Sequence, residues 1–163
     1  MNDTLLISIQ DIQNVSSISD NIQVESLEPF LSTSQDMYIR PLVGDALMDD
    51  MLADVATGGT QYQSLIDNYI LRALAYATVF SYLPFGHMKI QKKGIVLQNS
   101  DNSQNVSVEE FSILSQRTES TMTYYLRRLK EYLDLPASKV LYPMYATTDQ
   151  INPQNSSSIF LGF

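Results

Sequence analysis

VEEFSILSQRTESTMTYYLRRLKEYL, residues 108–133, decides the fold class of this chain. Phe111, Leu114, Thr118, Met122, Tyr125, Leu129 and Tyr132 follow one another at steps of three or four, the spacing of one helical stripe. Ser107 and Glu110 stand three apart just before it and form a capping box. Arg127, Arg128 and Lys130 fall in the last turns, where the helix dipole favours cations. Pro136 lies beyond the end. At 1.5 Å per residue the helix is about 40 Å long.

Working back along the chain, Gln61–Phe85 is a second long helix. Leu65, Ile66, Tyr69, Ile70, Ala73, Leu74, Ala77, Phe80 and Tyr82 cover more than half its circumference, which places it in the middle of a bundle. Pro84 and Gly86 end it. Upstream, Ser26 is an N-cap candidate and Pro29 suits a first turn. Leu27, Phe30, Leu31, Ser34 and Tyr38 share one face. Pro41 disfavours helical geometry at Arg40, which predicts a helix end there. Gly44 and Asp45 open the next helix, with Leu47, Met51, Leu52 and Val55 inward and Gly58-Gly59 as its stop. The short apolar run Leu5–Ile9 predicts a strand or helical turn lying across the body.

Between the long helices, residues 88–106 are polar and carry Lys89, Lys92 and Lys93. This insert can pair in two ways, or in a three-strand meander that uses both. Lys92-Lys93-Gly94 turns Met88–Gln91 onto Ile95–Gln98, or Asn99–Gln104 joins Ile95–Gln98 to a strand through Val106. Ile95-Val96-Leu97 is the stronger strand and Asn99–Ser103 the stronger turn, so the second pairing is preferred. A two-stranded arm is marginal alone in water and needs support from the body or another chain. From about Leu141 the chain reads as an extended tail. A Ser-rich linker, Asn155–Ser158, leads to the apolar tip Ile159, Phe160, Leu161, Gly162 and Phe163. The expected architecture is therefore mainly α. A helical bundle of about four helices (residues 1–140) carries an inserted β-hairpin arm at about 88–106, and an extended C-terminal tail follows (residues 141–163).

Composition narrows the function. At 163 residues the chain is one domain with a real core, and 44% hydrophobic residues exclude wholesale disorder. The 18 acidic and 10 basic residues give a net charge of -8. That opposes binding nucleic acid by phosphate neutralisation, and opposes an anionic membrane surface. With no cysteine there is no disulfide and no thiolate zinc site. No basic leader precedes an apolar run, and no segment is apolar enough to span a bilayer, so the sequence predicts a soluble chain made in a cytosol.

Few residues invite chemistry. His87 is the single histidine, and no G-x-S-x-G elbow accompanies it. A surface histidine explains it better than a triad with Ser81. Asp45, Asp49, Asp50 and Asp54 are the densest acids, at i,i+4 spacing. They read as the solvated face of an amphipathic helix rather than a cation site. The ten tyrosines lie mostly on apolar faces, where packing comes first. No catalytic residue, cofactor or metal is expected. Contact is, with the arm residues Lys89, Lys92, Lys93, Ile95, Leu97, Asn99, Asp101 and Asn102 as interaction candidates. The tail residues Ile159, Phe160, Leu161 and Phe163 join them. The lysines serve an acidic partner surface or a phosphate, or equally protect an edge strand.

The order of pieces resembles a known family. Asp11-Ile12-Gln13 is followed by Asn21-Ile22, and then by Met37-Tyr38-Ile39-Arg40-Pro41-Leu42-Val43-Gly44-Asp45-Ala46-Leu47. Lys93-Gly94-Ile95-Val96 and the Gln98–Ser103 turn come next. Tyr124-Tyr125-Leu126-Arg127-Arg128-Leu129-Lys130-Glu131-Tyr132-Leu133 closes the series. Over most of residues 11–133 this is similar to the small head–tail connector, or neck-ring, proteins of tailed phages and related prophages, notably crAss-like phages. The resemblance implies a helical body with a projecting hairpin, assembled in about twelve copies as a ring between portal and tail around the DNA channel. It implies self, portal protein and other neck or tail proteins as partners, no membrane, and a place in the virion neck after assembly in the bacterial cytoplasm. Twelve chains at -8 sum to roughly -96, a field that lets DNA pass without gripping it. The alternative is a monomeric adaptor or regulatory module that binds one protein through the arm.

Overall fold

A computed structural model describes residues 4–16, 24–86, 88–91, 94–97 and 108–145. The fold is mainly α, as the sequence predicts. Its first helix, α1 (Ile9–Val15), starts on a capping box. The Asp11 amide donates to Ser8 Oγ at 3.2 Å, and the Ser8 amide donates to Asp11 Oδ2 at 2.8 Å. Leu6, Ile7, Ile9 and Ile12 are buried, so this segment lies across the body. Gln35 pins it there. Its buried side chain accepts from the Leu6 amide at 2.9 Å and donates to the Thr4 carbonyl at 3.1 Å.

Helix α2 (Val24–Ser34) contains Ser26, which is therefore not its cap, and buries Leu27 and Leu31. It does not end at Arg40. A π turn (Gln35–Ile39) and helix α3 (Arg40–Val43) carry the helical path through Pro41. The reason lies in the ladder. Proline lacks an N–H, and its ring strikes the carbonyl four residues back in a regular α-helix. The wider π turn, closed by the Arg40 amide on the Gln35 carbonyl, inserts a residue and resets that ladder just before the proline. The path breaks instead at Gly44, whose φ of 83° and ψ of 155° are essentially reserved for glycine.

Helix α4 (Asp45–Ala56) buries Leu47, Met48 and Met51. It closes with a Schellman motif at Gly58 (φ 72°). The Gly58 amide bonds the Val55 carbonyl at 3.0 Å, and the Gly59 amide bonds the Asp54 carbonyl at 2.8 Å. The short α5 (Gln63–Leu65), a second π turn (Ile66–Ile70) and α6 (Leu71–Gly86) form one continuous path, close to the expected Gln61–Phe85 helix. Ile70, Ala73, Leu74, Ala75 and Ala77 have no exposed surface, as a central helix requires.

Backbone segments β1 (Met88–Gln91) and β2 (Gly94–Leu97) pair antiparallel, with Met88 opposite Leu97 and Gln91 opposite Gly94. The preferred partner for the second segment was a strand through Val106, and that stretch lies outside the described residues. Helix α7 (Val108–Leu133) has the bounds that its sequence predicts. Helix α8 (Pro136–Leu141) was not expected, because Pro136 reads as a stop. Here it opens a helix at a first-turn position. Tyr142 and Tyr145, placed in the tail by sequence, are buried in the hydrophobic core. Among the described residues, no buried side-chain nitrogen or oxygen lacks a hydrogen-bond partner.

Candidate interaction surfaces

Helices α6 and α7 run antiparallel, and tyrosines set their register. Tyr69 stacks on Tyr132 with centroids 3.8 Å apart, and Tyr76 lies nearly parallel to Tyr125 at 5.7 Å. The step of seven from Tyr69, in the second π turn, to Tyr76 in α6 matches a step of seven back along α7. The same register puts Gly86, the end of α6, level with Ser115. Residues 108–114 therefore run about 10 Å past their neighbour. Below that point Thr118, Met122, Leu126, Leu129 and Leu133 are buried, and Tyr125 and Tyr132 are half-buried. Above it the apolar stripe runs past α6, and of its residues there Phe111 is half-buried and Leu114 exposed. Leu114, expected to face the core, is 46% exposed, and its neighbour Ile113 is 53% exposed. Glu109 and Glu110 precede them in the first turn.

At the opposite end the chain turns into α8. Tyr142 packs edge-on against Tyr132 at 6.4 Å and lies 6.0 Å from Tyr62. Burial and the neighbouring Tyr132 hydroxyl push its phenol up to about 12. Tyr145 donates its hydroxyl to Asp134 Oδ1 at 2.6 Å, and Lys130 reaches Asp134 Oδ2 at 3.2 Å. Burial raises the Asp134 carboxyl, but these two partners outweigh it and hold the group below its ordinary range. Two anchored tyrosines fix the backbone, while the side chains between and around them face outward. Val140 is 81% and Leu141 65% exposed, with Leu135 and Met144 also exposed.

The acids of α4 are structural. Arg40 holds Asp49 at 2.8 Å, Asp36 at 3.2 Å and Asp45 at 3.4 Å, which braces the π turn against α4 across the Gly44 corner. The hydrogen bond that Arg40 donates to Asp49 leads in raising the guanidinium pKa. Asp50 accepts from the Tyr62 hydroxyl, whose pKa burial and this carboxylate push up to about 12. Asp54 wraps the Gly59 backbone so closely that a Cβ there would lie 1.9 Å from its Oδ1. Asp45 and Asp49 share one face, as their spacing predicts, and Arg40, four and five residues from Asp36 and Asp45, is a cation they share that was not expected. That spacing was the available signal.

Ser81 pairs with Ser34 at 3.1 Å, and His87 lies outside the described residues. Among the described residues no three His, Cys, Asp or Glu side chains gather as a metal site, and no helix is long and apolar enough to cross a membrane. Of the interaction residues predicted from sequence, Lys89, Ile95 and Leu97 lie on the paired backbone segments. Lys92, Lys93, Asn99, Asp101, Asn102, Ile159, Phe160, Leu161 and Phe163 fall outside the described residues. The exposed apolar groups at the two ends of α7 were not among those predictions.

Residues 39–155 match a family described as a family of unknown function, DUF6712. No curated protein and no solved structure matches the chain.

Proposed function

We propose a structural role for this chain, which belongs to the DUF6712 family: it is a ring-forming connector of a phage neck, joining portal and capsid to tail around the DNA channel. The observation that carries the reading is the surface of the α6–α7 pair and α8. A helix pair stiffened by stacked tyrosines displays large apolar side chains at both ends, a surface suited to protein contact. The net charge of -8 suits a ring whose lumen passes DNA without holding it. The ordered series of sequence pieces that resembles neck-ring proteins supplies the place of assembly.

In this reading the fold is a helical body from which the β1–β2 pair begins an arm. Lys89, Ile95 and Leu97 belong to that arm, and the tail beyond Tyr145 ends in the apolar Ile159–Phe163 tip. Arm and tail reach the next subunit, by strand addition and by groove docking. About twelve copies close the ring in the virion neck. The chain turns over no substrate and needs no cofactor.

Light scattering on purified protein, with electron microscopy of the same sample, tests this. Closed rings that bind portal or tail complexes are expected. A stable monomer that forms only one-to-one complexes would replace the ring by an adaptor.

A further inference from the structure

The two exposed apolar ends of α7 differ in charge. Residues 108–119 carry Glu109, Glu110 and Glu119 against Arg117, a net of -2. Residues 127–139 carry Arg127, Arg128, Lys130 and Lys139 against Glu131 and Asp134, a net of +2 in a chain whose total is -8. The helix dipole favours this polarity within one molecule, but it does not explain the apolar groups beside each charge cluster. Ile113 and Leu114 follow the glutamates, and Val140 and Leu141 follow Lys139. Both sites sit on rigid backbone. The first lies on an uninterrupted helix, and buried Tyr142 and Tyr145 hold the second. Along α7 they stand about 30 Å apart, too far to touch within one chain.

We infer that the partner for this surface is a second copy of the chain, bound head to tail. The acidic apolar start of α7 in one copy seats on the basic apolar end formed by α8 and the last turns of α7 in the next. Like ends repel, since acid would face acid and base would face base, so a two-fold contact through either end is disfavoured. Unlike ends attract and bury their apolar groups together. Such a contact is heterologous: it leaves a free end on each copy, and repetition gives a ring or a filament. The inference rests on the self-association of the proposed connector and names the faces that meet.

The chain has no native cysteine, which makes the test clean. One preparation carries Ile113→Cys, a second Val140→Cys, and a third Ala53→Cys on the exposed side of α4 as a collision control. The preparations are mixed in pairs under mild oxidation, and the linked peptides are mapped by mass spectrometry. The 113–140 disulfide is expected well above both the 53–140 level and either self-disulfide. A charge arm uses no cysteine. E109K/E110K and R127E/K139E should each weaken self-association about tenfold, and the fourfold variant that reverses both ends should recover it.

Dominant 113–113 or 140–140 links, or no excess over the control, overturn the inference. Rings without the 113–140 link sink this contact and leave the connector standing. Linked open chains support the contact and sink the closed ring. A monomer at every concentration, with no link, removes both.

Discussion

Truncating two leucines on the same helix should have opposite consequences. Leu129 is completely buried where α7 packs on α6, and Leu114 is half-exposed on the part of α7 that passes its neighbour. Leu129→Ala removes three carbons from the core. At about 0.8 kcal/mol per buried carbon the transfer loss is about 2.4 kcal/mol. A cavity that the stacked tyrosines on either side prevent from collapsing brings the total to about 3 kcal/mol. For a chain of this size that lowers Tm by about 6–12 °C. Leu114→Ala leaves no cavity, since solvent already reaches the site, and alanine is the better helix former. Its stability cost should stay below about 1 kcal/mol. Urea unfolding followed by circular dichroism, at a dilution that keeps the chain monomeric, compares the two. A Leu129→Ala loss under about 1 kcal/mol, or a Leu114→Ala loss as large as that of Leu129→Ala, would refute the register derived from Tyr69–Tyr132 and Tyr76–Tyr125.

Gly44→Ala should cost about 1–3 kcal/mol, because a side chain is strained at φ 83° and ψ 155°; an unchanged denaturation midpoint would mean the α3–α4 corner has another geometry. The Asp134 carboxyl is held below its ordinary range, so its folded pKa lies under its unfolded one. The stability it adds is present above the unfolded value of about 3.9 and lost as pH falls through the folded one. Acid titration of the wild type against Asp134→Asn should show the two curves converging below about pH 4; a constant gap down to pH 2 contradicts the Tyr145–Asp134–Lys130 contact. Deleting Gln98–Gln104 should leave helix content intact and impair ring formation, as scored by circular dichroism and light scattering, and rings of normal yield would remove that loop from assembly.

Much of the fold was legible because helices announce themselves locally. The extent of α7 follows from an apolar stripe, and the limits of α4 from Gly44 and from Gly58-Gly59, while Ser107, the expected cap of α7, lies outside the described residues. Helix α1 stands where only a strand or helical turn was expected, although Ser8 with an acid three residues on is a start signal. Prolines misled in both directions. Pro136 begins a helix, and Pro41 is carried inside a helical path by a π turn that no residue type announces. The interaction surface was the least legible part. Exposed and buried apolar residues look alike in sequence, so nothing in it marks Ile113, Leu114, Val140 and Leu141 as exposed.

The amino-acid order by itself determined a mainly helical chain, the extent of its longest helix, and an excess of acidic over basic residues. Those are properties of spacing, caps and counts, which depend on neighbours a few residues away. Only the tertiary structure decided which stretch of the α7 stripe is covered. The stripe continues unbroken from Phe111 to Tyr132, but α6 ends at Gly86, and burial requires a partner at the same height. A helix cannot encode the length of the helix beside it.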